Sequence, residues 1–280
     1  MTKGVVVLAQ NNENDDYVKQ ACLLAMSLSI TNNNTPISIV TDDEIPSKYK
    51  KLFDRIIPIP FGDDATKAEW KIENRWKIFH VSPYNETIVM DTDMLVLQDI
   101  SNWWKFLEDY EMFFTTNVNT YRNERVETSY YRKTFVANDL PNIYTGFYYF
   151  KKCDTSLKFF EWLELIVKNW ELFYGKFASE EYPKWVSLDV SAAIAIKIMD
   201  IESKVTNNKI SYPSFTHMKP AAQKWFETPS KWQNRVDVYV NKDCEIKIGN
   251  HLQSGIFHYT EKDFVDDVIV SRYEGKCNVG

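Results

Sequence analysis

Short apolar runs alternate with helically spaced apolar positions along the first third of the chain. Val5, Val6, Val7, Leu8 and Ala9 form an unbroken run that stops at the polar Gln10-Asn11-Asn12, which predicts a buried strand over 5–9. Val18, Ala21, Cys22, Ala25 and Leu28 then recur at spacings of three and four, one face of a helix. Asp15 and Asp16 stand near its start, where acidic side chains suit the helix dipole. Beyond Asn32-Asn33-Asn34, a second strand is predicted over 37–40, ending at Thr41-Asp42-Asp43. A helix is predicted around 74–81, ahead of the apolar run 87–90. This alternation of strand and helix is that of a parallel α/β sheet, whose ligands bind beyond the carboxyl ends of the strands. Gln10, Asp42 and Asp91 all fall at such ends.

The second half is less regular. Residues 143–151 read as a strand, with Gly146 marking a close approach of backbone or ligand. Residues 156–174 form a helical pattern rich in Phe, Trp and Leu, read as core support, and 188–199 a second buried helix with Asp189 at its start. No linker, internal repeat or low-complexity tract interrupts the 280 residues, so one domain over 1–280 is expected.

Charge changes this picture in one place. The net charge is −6, yet from Lys204 to Arg235 six cations accompany the single acid Glu227, so that segment carries +5 and the remainder −11. Tyr212, Phe215, Trp225, Phe226 and Trp232 are interleaved with the cations, and Pro213, Pro220 and Pro229 predict mostly loop. Two readings stay open: a solvated lysine-rich face with its aromatics turned inward, or a surface where cations neutralise phosphates and aromatics stack bases. No apolar stretch reaches the roughly 18 residues of a membrane span. Nothing near the N-terminus resembles a signal peptide. Cys22, Cys153, Cys244 and Cys277 are scattered without a CxxC pair, which favours reduced thiols in a cytoplasmic protein.

The strongest chemical signal is Asp91-Thr92-Asp93, the only Asp-x-Asp in the chain, set between Thr87-Ile88-Val89-Met90 and Met94-Leu95-Val96-Leu97. Buried charge costs several kcal/mol unless it is paired or bound to a metal. A hard divalent cation held by carboxylates and substrate phosphates removes that cost. The motif therefore predicts a metal–diphosphate site. Other residues have plain alternatives: Asp189 as a helix N-cap, Lys77 as a surface charge, and His258, between Phe257 and Tyr259, as a core histidine.

With its flanking strand, Asp91-Thr92-Asp93 resembles the metal motif of GT-A nucleotide-sugar glycosyltransferases, particularly glycosyltransferase family 8, which includes glycogenin. Lys77, in Arg-Trp-Lys-Ile-Phe, is similar to the lysine that family carries ahead of its metal strand. Tyr144-Thr145-Gly146 falls at the family's Asn-Ser-Gly turn and Ser187-Leu188-Asp189 at its Asp-Gln pair. Gly255-Ile256-Phe257-His258-Tyr259 falls at its metal-binding histidine, and Lys262 near a phosphate-touching lysine. The resemblance spans roughly residues 4 to 262 and is most specific at the first motif. Tyr144 and Val190 replace the family's Asn and Gln, and Lys262-Asp263-Phe264 its Lys-Pro-Trp, which leaves the donor sugar open. The stretch Ser214-Phe215-Thr216-His217-Met218-Lys219-Pro220 resembles sugar transferases of bacteriophages, as do Ile248-Gly249-Asn250 and 258–262.

The resemblance implies an α/β fold of the GT-A, Rossmann-like kind, a mixed, mainly parallel sheet flanked by helices, with a basic acceptor-side insertion around 204–235. It implies a hexosyl- or pentosyltransferase using a nucleotide-diphosphate sugar, with UDP-sugar favoured, and a divalent cation, Mn2+ or Mg2+, on Asp91, Asp93 and His258. His217 is the rival third ligand. Ala9, Gln10, Asn11, Asp42, Lys77, Asp91, Thr92, Gly146 and Lys262 would bind the nucleotide sugar, and Asp93 and Asp189 would serve catalysis. His217, Lys219, Lys224, Trp225 and Lys231 would meet the acceptor, for which 5-hydroxymethylated pyrimidine in phage DNA is favoured, extruded from the stack. The enzyme would then work in the host cytoplasm. The family retains anomeric configuration. A polysaccharide, lipid or protein acceptor is the alternative. A binding protein without turnover is a reading of another class. A nucleotidyltransferase is less consistent with the chain, because no Gly-rich phosphate loop lies between Leu8 and Asp16.

Overall fold

Apolar runs that alternate their side chains between two faces need cover on both, and that requirement shapes this molecule. The structure is a computed structural model that describes residues 2–279 except 33, 67, 69, 127–129, 179–184, 210–211 and 219–235. In chain order the first elements are β1 (Lys3–Leu8), α1 (Tyr17–Thr31), β2 (Ile37–Val40), β3 (Arg55–Ile57), α2 (Ile78–Val81), β4 (Glu86–Met90) and β5 (Met94–Val96). Then come α3 (Ser101–Leu107), β6 (Met112–Thr115), β7 (Val118–Thr120), α4 (Tyr130–Ala137), β8 (Tyr144–Lys151), α5 (Asp154–Lys168), α6 (Trp170–Phe177), α7 (Leu188–Met199) and α8 (Glu202–Val205). The chain closes with β9 (Phe215–His217), β10 (Val238–Val240), β11 (Ile246–Ile248), β12 (His251–Leu252), β13 (Ile256–His258) and α9 (Asp267–Cys277).

Among the described residues the main sheet has six strands in the order β3-β2-β1-β4-β8-β6. β1 pairs in parallel with β2 and β4, and β2 with β3, while β8 runs antiparallel to both β4 and β6. The expected mixed, mainly parallel α/β sheet flanked by helices is therefore present. Val5, Val7, Ile37, Ile39, Ile88 and Met90 face a core closed by α1 and α9. Their sequence neighbours Val6, Leu8, Val40 and Val89 face the other core, closed by α5 and α7. Each such fully buried aliphatic side chain contributes about 1.5–3 kcal/mol relative to exposure.

The helices differ from expectation in three places. Over 74–81 the chain forms a 3-10 helix, Ile72–Lys77, that passes into the single α-helical turn of α2. It ends at Ser82, which is extended because it precedes Pro83. The helix predicted over 156–174 is two, α5 and α6, broken at Asn169. The Asn169 side-chain amide donates to the Leu165 carbonyl at 2.9 Å, a local bond that competes with helix continuation. α7 spans the predicted 188–199, but its N-cap is Ser187, whose hydroxyl oxygen accepts from the Val190 N–H at 3.3 Å. Asp189 lies inside the first turn and is left for other work.

After Asp93 the chain leaves the main sheet. β5 enters a second sheet with the order β5-β13-β9-β7, antiparallel to β13, which in turn is parallel to β9. In this register His258 lies opposite both Met94 and His217. β10, β11 and β12 make a small antiparallel sheet. Of the basic segment, α8 and β9 are ordered elements and 219–235 lies outside the described residues. Among the described residues no helix is long and apolar enough to cross a membrane. All four cysteines are free.

Candidate active site

Three elements that end at one place build the site. β4 delivers Asp91, the turn into β5 delivers Asp93, and β13 delivers His258. Backbone bonds lock this arrangement: the Asp91 N–H donates to the Gly146 carbonyl at 3.0 Å, and the Tyr259 N–H to the Asp93 carbonyl at 3.1 Å. One ligand atom each from Asp91, Asp93 and His258 lie within 4.8 Å of one another. Gly146 of β8 keeps the space open, since a Cβ there would stand 2.8 Å from Met94 Cε and 3.2 Å from Asp91 Oδ2.

Cations surround the two carboxylates. Asp91 Oδ1 pairs with Arg75 Nη2 at 3.0 Å. Asp93 Oδ2 receives His258 Nε2 at 3.0 Å and Lys262 Nζ at 2.5 Å. Burial pushes the Asp91 carboxyl up, against the Arg75 charge, and the like charge of Asp93 adds to the rise. Burial works the same way on Asp93, yet the His258 and Lys262 charges outweigh it and hold that carboxyl well below the usual carboxylate range. The two acids of one motif are thus driven apart. His258 Nδ1 is buried with no hydrogen-bond partner among the described residues. Two carboxylates and an imidazole are a donor set suited to Mg2+ or Mn2+, so these residues fit a divalent cation.

The motif faces a cleft of about 350 Å³, lined by Tyr17, Arg75, Asp91, Thr92, Asp93, Thr145, Asp189, His258 and Lys262 among others. Asp189 also lines this cleft. Its Oδ1 accepts from the Thr145 N–H at 2.8 Å and from the Thr145 hydroxyl at 2.5 Å, and its Oδ2 pairs with Arg132 Nη2. Arg132 is 5 % exposed, donates to the Ile143 carbonyl at 2.5 Å and stacks 3.5 Å from the Tyr144 ring centroid. Arg132 and Arg75 carry no motif of their own. Arg75 was nonetheless in view in the sequence, two residues before Lys77.

The remaining predicted residues separate into groups. Thr92, the middle residue of the motif, is buried and its hydroxyl donates to Gln20 Oε1 at 3.4 Å. Lys262 stands at Asp93 and over the Tyr17 ring. Lys77 is fully buried and absent from the cleft lining, donating to the Gly62 carbonyl and to Asn74 Oδ1 at 2.6 Å, and pairing with Asp64 at 3.0 Å. Gln10 joins that network, its Oε1 accepting from Asn74 Nδ2 at 2.6 Å. Ala9 is buried with its N–H on the Val40 carbonyl, and the Asn11 N–H donates to Asp43 at 2.7 Å. Asp42 accepts from the Ile59 N–H at 3.0 Å. His217 lies behind His258, their ring centroids 4.9 Å apart, and is absent from the cleft lining. Lys219, Lys224, Trp225 and Lys231 lie outside the described residues.

No protein-family model matches the chain, and no curated protein does. Among solved structures, apo mouse xyloside xylosyltransferase 1 is similar over 95 % of this chain and 100 % of that one, with a TM-score of 0.55 and 9 % identity. The chain shares its fold with that transferase. The glycosyltransferase GlyE of Streptococcus pneumoniae TIGR4, in its apo form, is similar over 74 % of this chain at 16 % identity and a TM-score of 0.43. A second GlyE structure gives a TM-score of 0.44. The chain spans 46 % of GlyE's length.

Proposed function

We propose that this protein is a metal-dependent glycosyltransferase that moves a sugar from a nucleoside-diphosphate sugar, with UDP-sugar favoured, to a hydroxyl acceptor. The observation that carries the reading is the convergence of Asp91, Asp93 and His258 at the carboxyl end of the central strand, facing a cleft. The fold shared with a xylosyltransferase supports it, as does the resemblance to glycosyltransferase family 8 and to phage enzymes.

Breaking the bond between the anomeric carbon and the diphosphate leaves an anion that needs charge nearby. Asp91, Asp93 and His258 would hold a divalent cation, Mn2+ or Mg2+, which would supply Lewis-acid charge to the departing diphosphate. Lys262 and Arg75 bring protein charge to the same wall of the cleft, and Thr92 backs the turn that carries both acids. Asp189, fastened by Arg132 and Thr145, presents a fixed carboxylate edge to the sugar side. Ala9, Gln10, Asn11 and Asp42, at the ends of β1 and β2, frame the base and ribose. Lys77 supports this frame through Asn74 and the 62–64 loop.

A second reading of the acceptor, hydroxymethylated pyrimidines in phage DNA, is supported by the +5 charge of 204–235, with His217, Lys219, Lys224, Trp225 and Lys231 as its contacts. A cytoplasmic location accords with the four free thiols.

The test is release of free nucleoside diphosphate from a panel of nucleotide sugars with Mn2+, with Mg2+ and with chelator. Metal-dependent release from at least one donor is the expected result. Absence of release from every donor with both metals overturns the reading.

A further inference from the structure

Beside the donor cleft lies a groove of about 670 Å³. Trp70, Ile72 and Trp185 line both hollows, so the two are neighbours. Trp70 is 48 % exposed and Trp185 43 %, and aromatic surface exposed at the mouth of a site suits the apolar face of a ligand. Glu73 lines the groove, and its Oε2 is buried with no hydrogen-bond partner among the described residues. Its Oε1 is not buried and accepts no hydrogen bond among the described residues, so it is the oxygen that a ligand N–H or O–H can reach.

The charge of the groove narrows the ligand. Glu73 and Glu171 line it together with Lys168, whose ammonium is engaged by Glu164 at 2.7 Å. Carboxylates that line the groove repel phosphates and accept hydrogen bonds from hydroxyls. A ligand with flat apolar faces, many O–H donors and no charge is a pyranose. We infer that this groove is the acceptor site of the proposed transferase and takes a neutral oligosaccharide, with sugar faces on Trp70 and Trp185 and a hydroxyl donating to Glu73. This inference rests on the glycosyl-transfer reading. The terminal acceptor oxygen bonds to the anomeric carbon as the bond from that carbon to the diphosphate breaks. The electron pair leaves with the diphosphate, which also takes the hydroxyl proton.

The test is saturation-transfer NMR and calorimetry on the full chain with neutral trisaccharides built from glucose, galactose and xylose, and with a hydroxymethylcytosine-containing DNA duplex. At least one trisaccharide should bind. Trp185→Ala should weaken it about tenfold, with Trp185→Phe retaining most of the affinity. Glu73→Gln, which keeps size and folding, should also weaken it severalfold. Tyr239→Ala, 62 % exposed on β10 and outside both hollows, is the control and should bind as wild type does. No binding by any trisaccharide, in a protein that hydrolyses a donor, overturns the groove assignment and leaves the transferase reading standing. Binding of the duplex, with loss in the same variants, replaces it by a nucleic-acid site. A protein that binds trisaccharide but hydrolyses no donor overturns the acceptor assignment together with the transferase reading.

Discussion

Asp93 and Asp189 line one cleft, and both are carboxylates matched with a cation, yet they differ in what is left over. Asp189 spends both oxygens inside the fold, Oδ1 on Thr145 and Oδ2 on Arg132. Asp93 concentrates His258 and Lys262 on Oδ2, and its Oδ1 accepts no hydrogen bond among the described residues. Beside it Asp91 uses Oδ1 on Arg75, and His258 keeps a bare Nδ1. A saturated acid is a fixture that orients its surroundings. An acid with spare lone pairs, grouped with a second acid and an imidazole, fits a divalent cation. The residue type is the same, so the distinction lies wholly in the partners.

The largest effect expected is from Asp93→Ala. Nucleoside-diphosphate release should fall by at least about a thousandfold, and the rise in melting temperature that added Mn2+ gives the wild type should vanish. A variant that still gains stability from Mn2+ would break the contrast between the two acids. Asp189→Ala should act on stability and spare the metal response. It leaves the buried Arg132 charge without its acid, at a cost of about 3 kcal/mol in denaturant titration, while the Mn2+-dependent stabilisation persists. A loss below about 1 kcal/mol would show that Asp189 is no anchor.

Gly146→Ala tests the space between the acids. Its Cβ would meet Met94 Cε at 2.8 Å, Asp91 Oδ2 at 3.2 Å and Phe215 Cζ at 3.4 Å, so we expect about 2 kcal/mol of destabilisation and a weaker response to Mn2+. An unchanged Mn2+ titration would mean that Asp91 adjusts freely. The smallest effect belongs to Thr145→Val, which removes the hydroxyl bond to Asp189 and keeps the backbone one. About 1 kcal/mol is expected by thermal or chemical unfolding, with the Mn2+ response unaltered.

Arg75 and Lys77 show where sequence reading reaches its limit. Both are cations ahead of the metal strand, and resemblance points to Lys77. In a 3-10 helix, positions two apart diverge by about 120° around the axis. One of the two must turn from whatever the other meets. Here Arg75 reaches Asp91, and Lys77 enters the Gln10–Asn74–Asp64 network. Neither residue's direction could be known until the start of the helix and its packing were set.

The amino-acid order alone determined the alternation of strands and helices, the ends at which Gln10, Asp42 and Asp91 stand, and the helix that carries Asp189. These follow from periods of two and about 3.6 residues, which are local properties of the chain. Tertiary structure alone decided that Asp93 would meet His258, 165 residues away, that Arg132 would saturate Asp189, and that Trp70 and Trp185 would share one hollow. Those outcomes depend on sheet register and on packing between distant segments, where a slip of one residue would send each side chain to the opposite face.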